Sequence, residues 1–234
     1  MKKSWLLGLA ALSLLAAQPV IAHSIWLSQE GSDLSIVYGG HGGETEGYEP
    51  SKVQDVTAFD LDGNPVDVEL ITNEDSVDVD PSDEVALVAV TFDNGFWVET
   101  SDGWQNVSKR EVEDYISSSH PLKYTKALYG WSEAIAQPVG LPLEIVPMTN
   151  PFELEAGDEL AIQVLLDGEP ASDIEVIYGF AEDAPIMTDE SGMAMIPLAE
   201  SGLQHLEASI RLPVEDNPDT DQIYHSSTLT FEVE

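Results

Sequence analysis

The chain has 234 residues, with 44 acidic against 8 basic side chains, a formal charge of −36 and no cysteine. So few cations exclude a nucleic-acid binder that works by phosphate neutralisation, and the acidity argues equally against docking on anionic lipid. The absence of cysteine excludes disulfides, thiolate metal sites and thiol nucleophiles, so a hydrophobic content of 43% must hold the fold together by core burial.

Lys2 and Lys3 precede an apolar run over 6–17, and Val20 and Ala22 supply small residues at the −3 and −1 positions of a cleavage site. Residues 1–22 therefore read as a signal peptide cut after Ala22. That predicts a periplasmic protein, not membrane-embedded after processing, without a lipid anchor and with a charge of −38. The cut makes His23 the first residue. A terminal histidine offers a metal both its α-amine, whose pKa is only about 7.7–8.0, and its ring nitrogen. Nitrogen ligands in a tetragonal arrangement suit Cu(II) or Ni(II). The plain reading of the same position is a frayed, solvated end.

The rest reads as strands. Runs over 25–27 and 34–38 flank a Glu30-Gly31-Ser32-Asp33 turn, and runs over 53–61 and 66–71 flank Asp62-Gly63-Asn64-Pro65. Two more cover 85–92 and 95–99. One short helix is predicted over 108–116, because Ser108 and Glu111 have capping-box spacing. Residues 118–142 read as an irregular connector ended by Pro138, Gly140 and Pro142. Six strands follow, over 143–146, 160–166, 174–180, 193–198, 203–210 and 227–233. The expected fold is all-β: a β-sandwich domain over 23–139 and a second, immunoglobulin- or transthyretin-like sandwich over 140–234.

Several short motifs occur in one order: Ala22-His23-Ser24-Ile25-Trp26-Leu27, Gly40-His41-Gly42, Lys123-Tyr124-Thr125-Lys126-Ala127-Leu128, Gly140-Leu141-Pro142-Leu143-Glu144-Ile145-Val146-Pro147, and Val164-Leu165-Leu166-Asp167-Gly168-Glu169-Pro170. In this order they resemble an exported bacterial family described as a nickel or cobalt uptake periplasmic component. The resemblance implies a two-domain all-β protein that handles a divalent transition metal outside the inner membrane, with an inner-membrane metal transporter as partner. It matches His23 and His41 to the family's terminal and Gly-His positions. It also leaves a departure, since Ser209-Ile210-Arg211 lacks the histidine that family members often carry after the Gly202 turn.

His120, ahead of Pro121, is the third candidate ligand, although a loop histidine there has an ordinary structural reading. His205 and His225 read as core or rim residues. Asp60-Leu61-Asp62-Gly63-Asn64 has a calcium-loop look, but Ile71 stands where the closing glutamate belongs, so a hairpin is the better reading. No phosphate loop, nucleophile elbow or His-Glu-x-x-His helix occurs, and no enzyme is expected. The expected cargo is Ni(II), with Co(II) or Cu(II) as competitors. Two other readings compete. One is a copper histidine-brace oxidase acting on polysaccharide, with Trp97 and Trp104 as a sugar-stacking surface. The other is a ligand-free structural β-sandwich.

Overall fold

The computed structural model describes residues 23–31, 33–40, 43–179, 185–198 and 201–233. The leader assigned to 1–22 and the ligand candidate His41 lie outside them. Among the described residues the secondary structure is strands, with three short 3-10 turns and no α-helix. Among the described residues no helix is long and apolar enough to cross a membrane. The all-β class expected from the sequence is what forms.

Three sheets stack. The first holds β1 (Ser24–Glu30), β2 (Asp33–Gly39), β3 (Thr45–Glu46), β6 (Val68–Thr72) and β7 (Val77–Pro81). The middle sheet holds β4 (Val53–Phe59), β5 (Pro65–Val66), β8 (Leu87–Asp93), β9 (Trp97–Thr100), β10 (Gly103–Gln105), β11 (Ser117–Leu128), β15 (Glu175–Tyr178), β16 (Ile186–Met187), β18 (Gly202–Pro213) and β19 (Gln222–Val233). The third holds β12 (Leu143–Pro147), β13 (Glu159–Leu166), β14 (Glu169–Pro170) and β17 (Met193–Pro197).

Alternation along the middle strands sorts side chains into two cores. On β8, Val88, Val90 and Phe92 join Ile25, Ile36 and Val79 beneath the first sheet. Leu87 and Ala89 point the other way and join Leu143, Ile162, Leu229 and Phe231 beneath the third. A strand covered on both faces reads as a continuous apolar run, and Ala86-Leu87-Val88-Ala89-Val90 is one. Each buried Leu, Ile or Phe contributes roughly 1.5–3 kcal/mol, so both cores are stabilised mainly by these positions.

The two halves of the chain share the middle sheet. β11 runs parallel to β19, with His120 opposite Ile223 and Ala127 opposite Thr230. β11 falls inside the stretch read as an irregular connector, and the reason is visible. It is buried on both faces yet carries Lys123, Lys126, three serines and Pro121, so neither period-2 alternation nor an apolar run announces it. Pro121 falls where β11 exchanges β9, paired through Ser119, for β8, paired from Leu122. A residue without an N–H fits at such a change of partner. The helix expected over 108–116 is a single 3-10 turn, Lys109–Glu111. The Ser108–Glu111 capping box does form, and β-prone residues beyond it stop propagation.

At the junction near Gly140, Glu144 on β12 binds Lys126 at 2.7 Å. The same carboxylate accepts backbone N–H groups from Val139, Gly140 and Leu141 at 2.9–3.2 Å. Gly140 has φ +89°, a conformation that glycine adopts without strain. The connection between halves is therefore a turn wrapped around one buried carboxylate.

Candidate functional site

His23 stands at the start of β1, and two side chains of the middle sheet tie that start down. Lys123 Nζ donates to the His23 carbonyl, and Thr228 Oγ1 donates to the Ile25 carbonyl at 2.6 Å. β1 is an edge strand whose outward carbonyls are covered by the middle sheet. Buried carbonyls need donors, which explains why β11 and β19 place polar residues here. Lys123 is fully buried. Burial pushes its pKa down to about 8, against an opposing pull from the Glu207 charge.

The ring of His23 stacks on Tyr38 at 5.0 Å, and Tyr38 stacks on Phe92 at 5.7 Å. Tyr38's hydroxyl accepts from Asn94 Nδ2 at 3.3 Å, and Asn94 Oδ1 accepts from Lys52 at 2.9 Å. Burial raises the Tyr38 phenol to about 12, so it stays neutral and serves as a wall. On the open side, His23 Nε2 lies 3.2 Å from Glu46 Oε1 on β3. The pair lacks hydrogen-bond alignment, and neither ring nitrogen has a hydrogen-bond partner among the described residues.

His41 follows Gly40 directly. Gly39 pairs with Ser24 across β1 and with Thr45 across β3, at the sheet end that carries His23. Gly43 N–H donates to the Gly40 carbonyl at 3.0 Å. A Cβ at Gly39 would meet the Glu44 carbonyl oxygen at 2.1 Å and the Trp26 ring at 2.7 Å. Close packing therefore accounts for glycine at position 39.

The other histidines have partners of their own. His120 Nε2 lies 2.7 Å from Asp93 Oδ1, with its ring 4.3 Å from Phe96. Burial works to raise the Asp93 pKa, but His120, the Gly95 N–H and Lys52 together hold it below the usual carboxylate range. His225 Nδ1 meets the Tyr124 hydroxyl at 2.9 Å; burial lowers its pKa, opposed by Asp167 and aided by His120. His205 is buried on β18 with its ring edge-on to Trp26 at 5.8 Å. Trp97 donates its indole N–H to the Asn94 carbonyl at 3.0 Å, and Lys52 lies over its ring.

The described residues thus bring His23 and Glu46 together and leave His120 with Asp93. Among them no group of three or more histidines and carboxylates is placed to hold a metal ion. One imidazole and one carboxylate are a partial set. Glu46 was not singled out in the sequence, and Lys123 appeared only as the first residue of the Lys123–Leu128 motif, without a role of its own.

Fold and site define an all-β protein of three stacked sheets, with edge strand β1 tied down at its start by Lys123 and Thr228. The chain belongs to the family described as a domain of unknown function (DUF4198), whose model matches residues 20–212. An uncharacterized protein of Haemophilus influenzae strain Rd is 30% identical over 230 residues, covering 97% of this chain and 96% of that one. Among solved structures, the D0-D1 domain of Intimin matches 90% of this chain and 97% of its own at 10% identity, with a TM-score of 0.23. That likeness is too loose to support an argument.

Proposed function

We propose that this chain is an exported, periplasmic binding protein for a divalent transition metal, with nickel or cobalt as cargo destined for an inner-membrane transporter. The observation that carries the reading is the His23 ring. It is held against Tyr38 with both nitrogens free of hydrogen bonds among the described residues, and a carboxylate waits 3.2 Å away. Histidine nitrogens in that condition are unusual unless something else binds them. Processing after Ala22 would add the α-amine, and Lys123 and Thr228 already hold the strand that carries it. Electrostatics favours arrival of cations at a chain of charge −36, an effect that salt screens. It does not select among metals. Nickel and cobalt rest on the family resemblance, while the general affinity order ranks Cu(II) above both.

Calorimetric titration of the chain beginning at His23 with Ni(II), Co(II) and Cu(II) tests this reading. His23→Ala is expected to abolish tight binding, and Glu46→Gln to weaken it about tenfold or more. Unchanged binding by His23→Ala would refute the site. Copper-dependent peroxide consumption with a polysaccharide would instead favour the histidine-brace oxidase.

A further inference from the structure

β6 ends the first sheet. Among the described residues it pairs with β7 alone, from Val68 opposite Pro81 to Thr72 opposite Val77, without a register shift. Two hydrogen bonds just beyond this ladder fix which main-chain groups of β6 face outward. Asn73 N–H donates to the Ser76 carbonyl at 3.0 Å, and Ser82 N–H donates to the Asp67 carbonyl at 2.8 Å. Hydrogen-bonded and non-hydrogen-bonded positions alternate along an antiparallel pair. Glu69 and Ile71 therefore bond toward β7, while Val68, Leu70 and Thr72 turn their N–H and C=O groups away from it. Leu70 is 42% accessible and Thr72 is exposed, and no hydrogen bond reaches these outward groups among the described residues. Edges are ordinarily blunted by lysine, proline or a bulge, and Val68-Glu69-Leu70-Ile71-Thr72 has none of these.

The two faces beside this edge differ in chemistry. Leu70 lies opposite Val79 and shares its face, which carries the first core, with Val66 and Val68 packed at the margin. Glu69 and Ile71 lie opposite Asp80 and Asp78 on the outer face. No strand of the first sheet carries a lysine or arginine, and neither occurs between Lys52 and Lys109. An added strand presents side chains alternately to the two faces, and a residue directly opposite Leu70 shares the face of Leu70. Apolar side chains at those positions would extend the core margin, and cations at the intervening positions would lie beside Glu69 and the two aspartates. A second copy of this chain is a poor occupant. It would set two cation-free hairpins side by side on bodies of charge −36.

We propose that β6 is a docking edge for an extended segment of a partner protein with alternating basic and apolar residues, bound by antiparallel strand addition along Leu70 and Thr72. This proposal is independent of metal binding.

The test uses fluorescence anisotropy with the full chain and a short capped peptide of alternating valine and lysine. Two further peptides of the same charge carry N-methyl groups, one on its valines and the other on its lysines. Valine N–H groups would face β6 and lysine N–H groups would face away. Methylated valines should therefore abolish binding, whereas methylated lysines should leave it within a few-fold. Bound peptide should slow hydrogen exchange at the Leu70 and Thr72 amides and leave Ile71, already bonded to β7, unchanged. Glu69→Gln should weaken binding several-fold, while Glu190→Gln, exposed in the turn before β17, should not. Equal binding of the two methylated peptides would reduce the effect to net charge and overturn the proposal. So would equal losses from Glu69→Gln and Glu190→Gln, absence of binding, or self-association of the chain through β6.

Discussion

Lys123 and Lys126 lie three residues apart on β11, both fully buried, on opposite faces of the middle sheet. Lys126 meets the Glu144 carboxylate, whose remaining lone pairs take three backbone N–H groups of the junction turn. Lys123 meets a backbone carbonyl, that of the residue which becomes the terminus if the chain is cut after Ala22. The same side chain in the same strand thus closes a structural joint on one face and pins a strand end on the other. What differs is the partner. A contacting counter-charge offsets much of the cost of burying an ammonium, whereas Lys123's hydrogen-bonded partner is a carbonyl dipole, with the Glu207 charge adding a favourable pull.

The first way to break that contrast is Glu144→Ala, which leaves Lys126 buried without its counter-charge and three junction amides without an acceptor. A loss of about 3–5 kcal/mol is expected in denaturant unfolding. A loss under about 1 kcal/mol would mean that the joint contributes little.

Lys123 should show itself through pH. Its folded pKa of about 8 lies below the ordinary lysine value of 10.5, so the unfolded chain binds more protons between the two. Stability should accordingly rise as pH increases from about 8 to 10, by roughly 2 kcal/mol, relative to a Lys123→Met variant. Above pH 10 the buried Tyr38 and Tyr48, raised to about 12, oppose the trend, because the unfolded phenols ionise first. Parallel pH curves for parent and variant would contradict the assignment.

Lys123→Met should also fray the start of β1. Removing a buried charge offsets part of the lost hydrogen bond, so the global effect should stay near 1 kcal/mol. Amide exchange at Ser24 and Ile25 should nonetheless accelerate more than at Ile36 in the hairpin's other strand. Uniform acceleration would show that Lys123 is only a core residue.

The smallest effect belongs to His225. Its lowered pKa means that the folded state resists protonation, so stability should decline as pH falls through the ordinary histidine range of about 6.5. His225→Gln should flatten that decline in thermal unfolding, whereas an unchanged decline would contradict the assignment.

These contrasts also show how much was readable beforehand. Turn chemistry and alternation located β1, β2 and six of the eight strands of the second half, although β19 begins at Gln222, ahead of the expected 227; each has one polar face or a bounded apolar run. β11 escaped because its polar side chains serve a buried carbonyl and a carboxylate on other elements: His23 precedes Lys123 by 100 residues and Glu144 follows Lys126 by 18. No local pattern encodes such partners. At the site, His23 was legible through the cleavage signal and Glu46 was not, because its approach to His23 depends on the pairing of Tyr38 with Glu46 across β2 and β3. His120 was legible as a histidine before a proline, but its engagement with Asp93 rests on where β11 leaves β9 for β8.

The most direct test of the central claim, that a processed His23 is the metal-binding terminus, compares Ni(II) titrations of two chains. One begins at His23, and the other carries a single alanine ahead of it. The extension displaces the α-amine from its chelate with the ring, so affinity should drop far more than for His205→Ala. Equal affinity of the two chains would contradict the claim.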